Sequence, residues 1–286
     1  MGSPPEWEAG VRDAAALFGL ERGRLLQLLG DLTPDDWDRP TPCPGWSVLD
    51  LCGHLLGDDL GGLARQRDHH HGTVPPPGVD QVGNDFARWL DNLQDEWVGA
   101  ARRLSPRLVT ELLAWSGPQV SDTMGGQDPV RLDGSVSWAS PDPVPVWLDQ
   151  LREVSEQWIH RQQLLQALGR PIDLRVDLAG PVLDALRWAF PHRLGVIARP
   201  DGDGVTIRVR GPLERVWHLA VRSERWRFGP DLAGRVVAVM DLTTEQAWQL
   251  LTNNLGGATR VDLRTSGDET ILEALLETRA IISVPK

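Results

Sequence analysis

The chain has 286 residues, more than one compact domain usually holds, so two domains of unequal size are expected. Its 29 basic and 40 acidic residues leave a formal charge of -11, which repels phosphate backbones and anionic lipid. Nucleic acid is excluded as an expected partner, and apolar stretches broken by Arg, Asp and Gly leave no membrane span, so a cytoplasmic protein acting on a small molecule is expected.

From Pro5 to Leu32 the positions Val11, Ala14, Leu17, Leu25, Leu28 and Leu29 recur at three- and four-residue steps, which predicts a first amphipathic helix. A short capped turn follows at Thr33 to Trp37, and Pro40, Pro42 and Pro44 then impose a rigid loop. Ser47 is placed to cap a second helix, with Asp50 completing a near relative of the capping box and Leu51, Cys52, Leu55 and Leu56 as its buried stripe. That helix should fade near Asp68, before an extended proline-rich connector at Pro75 to Gly78. A third helix is expected from near Asp80 to Leu104, and a shorter one from Pro106 to Trp115. The stretch 117–142 reads as a long loop, and the fourth long helix runs from Pro143 or Pro145 to Leu168.

Beyond Ile172 the pattern changes to mixed α/β, which sets the domains at 1–171 and 172–286. Helices are expected at 178–188, 243–251 and 269–279, with strands at 205–209, 215–221 and 235–240.

Glu156 and His160 stand four residues apart, on one face of the fourth long helix. His54 on the second helix can add a third ligand if the two helices pack side by side. Two histidines and a carboxylate with open positions suit a catalytic divalent metal, zinc above all. The spacing alone also fits a surface pair and a satisfied core histidine. Asp58, one turn after His54, could orient its ring or join the metal, or simply be solvated.

Thr41-Pro42-Cys43-Pro44-Gly45-Trp46-Ser47-Val48-Leu49-Asp50-Leu51-Cys52-Gly53-His54-Leu55 resembles the TPCPGWxVxDLxxHL motif of the mycothiol-dependent maleylpyruvate isomerase family, within the DinB-like superfamily. Glu156 to Gly169 resembles that family's ExxxHRxDLxxALG helix, with Gln163 or its neighbour in place of the acidic residue after His-Arg. That departure leaves the ligand pair intact and bears on how His160 is oriented. The resemblance implies an α+β fold, with an N-terminal DinB-like up-down four-helix bundle and a smaller C-terminal α/β domain. It also implies His54, Glu156 and His160 as metal ligands, with mycothiol or a related low-molecular-weight thiol as cofactor. The implied activity is isomerase or S-transferase chemistry on a small electrophile, in an actinobacterial source. Two alternatives share the fold: a metal-dependent hydrolase or biosynthetic enzyme without thiol, and a non-catalytic small-molecule-binding protein.

The run His69-His70-His71 reads as a surface tract, and Cys43 and Cys52 as a loop residue and a small apolar core residue. Arg88 and arginines of the C-terminal sheet are candidates for an anionic substrate, while Trp46 and Trp158 are expected in the core or the pocket wall.

Overall fold

The computed structural model describes residues 12–72, 74–79, 83–229, 234–255 and 263–281. The fold is α+β, a helical N-terminal part followed by a C-terminal α/β part. By its internal contacts the described chain divides into two units, 12–131 with 149–173, and 132–148 with 174–281.

The helical unit contains α1 (Ala14–Gly30), a 3-10 turn (Pro34–Asp38), α2 (Val48–Gly62), α3 (Gly83–Ala101), α4 (Pro106–Gly125) and most of α5 (Val146–Ala167). The helix expected from Pro5 is described from Ala14, with Asp13 accepting from the Ala16 N–H as its cap. Residues 5–11 of that expected helix, and the start of the third helix at 80–82, lie outside the described residues. α2 packs on α3 and α4, and α4 also packs on α1. Leu25, Leu28, Leu51, Leu55, Leu56, Leu113 and Leu164 belong to one apolar core. Cys52 is sealed in it, and burial pushes its thiol up to about 12, so it serves as packing.

α4 corrects one expectation. Instead of stopping at Trp115 it continues through Gly117 and Pro118 to Gly125, so much of the expected 117–142 loop is helical. Pro118 removes the N–H that would bond the Ala114 carbonyl, and side chains bond the carbonyls on either side of that one. Gln119 donates to the Trp115 carbonyl, and Arg22 of α1 to that of Leu113. A Cβ on Gly117 would fall 2.7 Å from Cγ of Arg22, so glycine here records a close approach of α1. Beyond Gly125 the segment carries two isolated bridges, Leu132 with Pro145 and Val136 with Ser140.

The C-terminal unit contains α6 (Val176–Leu186), α7 (Ala189–Leu194), β1 (Asp203–Arg210), β2 (Arg215–Arg222), β3 (Arg225–Gly229), β4 (Arg235–Thr243), α8 (Thr244–Leu251), β5 (Arg264–Gly267) and α9 (Glu269–Leu276). The sheet order is β3-β2-β1-β4-β5, with β1 and β4 parallel and the other pairs antiparallel. Val205, Ile207 and Val209 pair across to Leu219, Trp217, Ala238, Met240 and Leu242, giving one apolar face with a period of two. α8 packs on β1 and β4, and α9 on β4. α7, β3 and β5 add to the elements expected from the sequence.

Candidate metal centre

The proline loop and the cap that follows it place His54. Cys43-Pro44-Gly45-Trp46 forms a turn closed by the Trp46 N–H on the Cys43 carbonyl at 3.1 Å, with Gly45 at φ +82°. Proline second and glycine third, in the left-handed region, is the type II pattern. Ser47 then accepts from the Asp50 N–H at 3.2 Å while its own N–H donates to Asp50 at 3.0 Å, the reciprocal box that starts α2. His54 follows two turns in, buried. The Trp46 ring stands 5.1 Å from the His54 ring as a wall of the site, whereas Trp158 is fully buried in the core.

His54, Glu156 and His160 come together. The two Nε2 atoms are 3.1 Å apart, and Glu156 Oε1 lies 2.8 Å from His160 Nε2 and 3.4 Å from His54 Nε2. Ligands bonded to one zinc at about 2.0–2.1 Å in tetrahedral geometry stand about 3.3 Å apart, so these separations fit a shared cation.

The far side of each ring is held as well. His54 Nδ1 meets Gln94 Oε1 at 3.1 Å and His160 Nδ1 meets Gln163 Oε1 at 2.7 Å. An amide oxygen only accepts, so each Nδ1 carries a proton and each Nε2 faces the common point. Gln163 therefore does the orienting that an acidic residue would do there, and its oxygen also accepts from the Cys43 thiol at 3.2 Å. Gln94 was not singled out by the sequence reading. Its signal is a polar side chain one turn before Trp97 on the packed stripe of α3, where the Trp97 indole donates to the Gly53 carbonyl at 2.8 Å.

Electrostatics favour a cation. Burial opposes charge on Glu156, but His160 and His54 outweigh it and hold the carboxyl well below its usual range. Burial likewise disfavours charged His160, yet the Glu156 carboxylate raises its pKa well above the usual imidazole value. A divalent ion would take the place of protons on these groups. Asp58 flanks the cluster, Oδ2 3.2 Å from His54 Nε2 and Oδ1 accepting from Gln94 at 3.2 Å.

The remaining candidates stand apart. The His69 to His71 run is exposed and contributes nothing to the His54, Glu156, His160 group, and Arg88 is an exposed residue of α3 paired with Asp85 at 2.6 Å. Both cysteines are free thiols. No helix among the described residues is long and apolar enough to cross a membrane.

The crystal structure of a mycothiol-dependent maleylpyruvate isomerase superposes with a TM-score of 0.54 at 14% identity, covering 89% of this chain and 92% of that one. A variant of that enzyme with one histidine replaced by alanine superposes with a TM-score of 0.53 over the same shares. Uncharacterized proteins from two strains of Mycobacterium tuberculosis, CDC 1551 and H37Rv, are each 26% identical over 240 residues, 76% of this chain and 77% of theirs. Residues 18–165, which hold all three converging side chains, match the family model of the mycothiol maleylpyruvate isomerase N-terminal domain, and the chain belongs to that family.

Proposed function

We propose that the chain is a metal-dependent enzyme that uses a mycothiol-type thiol to isomerise, or transfer sulfur to, a small electrophilic substrate. His54, Glu156 and His160 hold the divalent metal, zinc by the donor set. The observation that carries this reading is the meeting of two imidazole nitrogens and a carboxylate oxygen within 3.4 Å of one another. A closed structural site uses four protein ligands, whereas three leave a position open for an exchangeable partner. When bound, the metal supplies a Lewis acid that lowers a thiol's pKa toward neutrality.

The chain's own residues do the rest. Gln94 and Gln163 hold the imidazoles in the tautomer that presents Nε2. Trp46 closes one side of His54 with an apolar ring, and Asp58 places a second carboxyl beside that imidazole. A cytoplasmic setting and the boundary between 171 and 172 belong to the same reading, and two free thiols suit a reducing compartment.

The test is elemental analysis of the purified protein beside a His54→Ala, His160→Ala double variant, followed by turnover assays with and without thiol. The expected result is one divalent ion per chain, lost in the double variant, and thiol-dependent turnover. A metal-replete parent without the ion sinks the reading, and turnover indifferent to both thiol and metal removes the mechanism.

A further inference from the structure

Each of the two ligands on α5 is followed by a residue locked to α1. Gln157, next to Glu156, accepts from Arg22 Nη2 at 2.9 Å. Arg161, next to His160, donates through Nη2 to Glu21 Oε2 at 2.9 Å. Glu21 and Arg22 are consecutive in α1, so one turn of that helix grips α5 directly behind its metal-facing side chains.

The same guanidinium also grips the helix of the third ligand. Arg22 Nη1 and Nη2 donate to the two oxygens of Asp59, five residues after His54 on α2, at 2.6 and 2.9 Å. Nη1 reaches the Leu113 carbonyl of α4 at 2.7 Å as well. Arg22 is only 4% exposed, and a buried ion pair is seldom the most stabilising choice, since well-packed apolar residues often do as well or better. A guanidinium fork offers direction instead, because its planar donors fix where each partner must lie.

We propose that Arg22 is a positioning residue for the metal centre. It sets the separation of α2 from α5, and with it the distance from His54 to Glu156 and His160. The inference rests on the metal-binding reading above. Metal–ligand bonds tolerate errors of only about 0.2 Å, so a clamp joining the ligand-bearing helices acts on affinity as well as on folding.

The experiment compares two matched substitutions in the full chain. Gln157→Met removes the link from α5 to Arg22. Gln150→Met removes a buried hydrogen bond from the same helix to the Met124 carbonyl, 2.9 Å long and outside the clamp. Zinc affinity is read by competition with a chromophoric chelator, and stability by thermal melting. Both variants should melt lower, whereas Gln157→Met alone should lose affinity, by about tenfold as for other residues that support ligands from behind. Arg22→Lys, which keeps the charge and loses the fork, should lose affinity too. Parent-like zinc affinity in Gln157→Met and Arg22→Lys would overturn the positioning role while leaving the metal site standing. A parent that binds no zinc would overturn both.

Discussion

The helical unit and the C-terminal unit bury different kinds of side chain. Behind and around the ligands the helical unit encloses Glu21, Arg22, Asp59, Gln157, Arg161 and Gln163, all under 9% exposed. The C-terminal unit is built on Val205, Ile207, Trp217, Met240, Trp248 and Leu250, and among its buried polar groups Thr252 and Thr278 simply donate to carbonyls one turn back in their own helices. Buried charge costs stability unless every partner is in place, whereas apolar packing contributes it directly. Among the described residues, the arginine–carboxylate pairs buried on both sides, Arg22 with Asp59 and Arg161 with Glu21, lie in the unit holding the candidate metal ligands, whereas buried Asp203 of the C-terminal unit pairs with an exposed Arg235.

The largest effects test that contrast directly. Arg161→Met leaves Glu21 buried without its partner and should cost about 3–5 kcal/mol, read by urea denaturation. Trp248→Ala empties a fully buried site in the other core and should cost about the same. The two should differ in rescue. Glu21→Met combined with Arg161→Leu should return to the parent's stability or above it, because the pair is not retained for stability. A double variant as unstable as Arg161→Met alone would break the comparison.

Two glycines sharpen it with smaller effects of opposite sign. A Cβ on Gly57 would fall 2.4 Å from Trp97 Nε1, the atom that ties α3 to the Gly53 carbonyl. Gly57→Ala should therefore destabilise by about 1–3 kcal/mol. It should also weaken zinc binding, because Gln94 shares that face of α3. In the C-terminal unit a Cβ on Gly180 would meet the tip of Arg215 at 3.3 Å, which can move aside. Gly180→Ala should gain only about a few tenths of a kcal/mol, because the new Cβ is crowded by the Pro181 ring that follows and this offsets part of the helix-propensity gain. Melting curves of the two variants, with zinc affinity for the first, decide both signs.

How much of this was legible in the sequence depended on how local the cause is. The stripes of α1, α2 and α5 follow from apolar spacing, and Ser47 announces its cap by residue type. His54, Glu156 and His160 could be grouped through the two motifs, although spacing alone left their meeting open. The stretch of α4 around Gly117 and Pro118, which reads locally as a stop, packs against Arg22 of α1, a contact distant in the chain that no local propensity records. β3 was missed because its hairpin turns at Ser223 and Glu224, both with positive φ, where Asn-Gly is the expected signal. The carboxylate of Asp201 holds both of their N–H groups, at 3.0 and 3.1 Å, a contact made from twenty-odd residues away. β5 is short, polar and exposed, with no alternation to detect.

The smallest expected effect concerns Glu153, one turn before Glu156. Burial pushes its carboxyl up to about 7, Arg152 pulls the other way, and Asp149, Asp58 and Glu156 add to the rise. A carboxyl whose folded pKa exceeds its unfolded value of about 4.3 favours the folded state while protonated. That contribution is fully present below the unfolded value and is lost as pH rises through 7. The parent should therefore lose stability between about pH 4.5 and 7 through this group, and Glu153→Gln, which cannot ionise, should not. In chelator-treated protein the variant should melt above the parent at pH 8, with the gap narrowing as pH falls to 5. Added zinc brings positive charge beside this carboxylate cluster and favours ionised Glu153, so saturating metal should narrow the gap at pH 8. A gap that is the same at both pH values would mean that Glu153 does not titrate in this range, and that the acidic face of α5 carries its charge without penalty even before a cation binds.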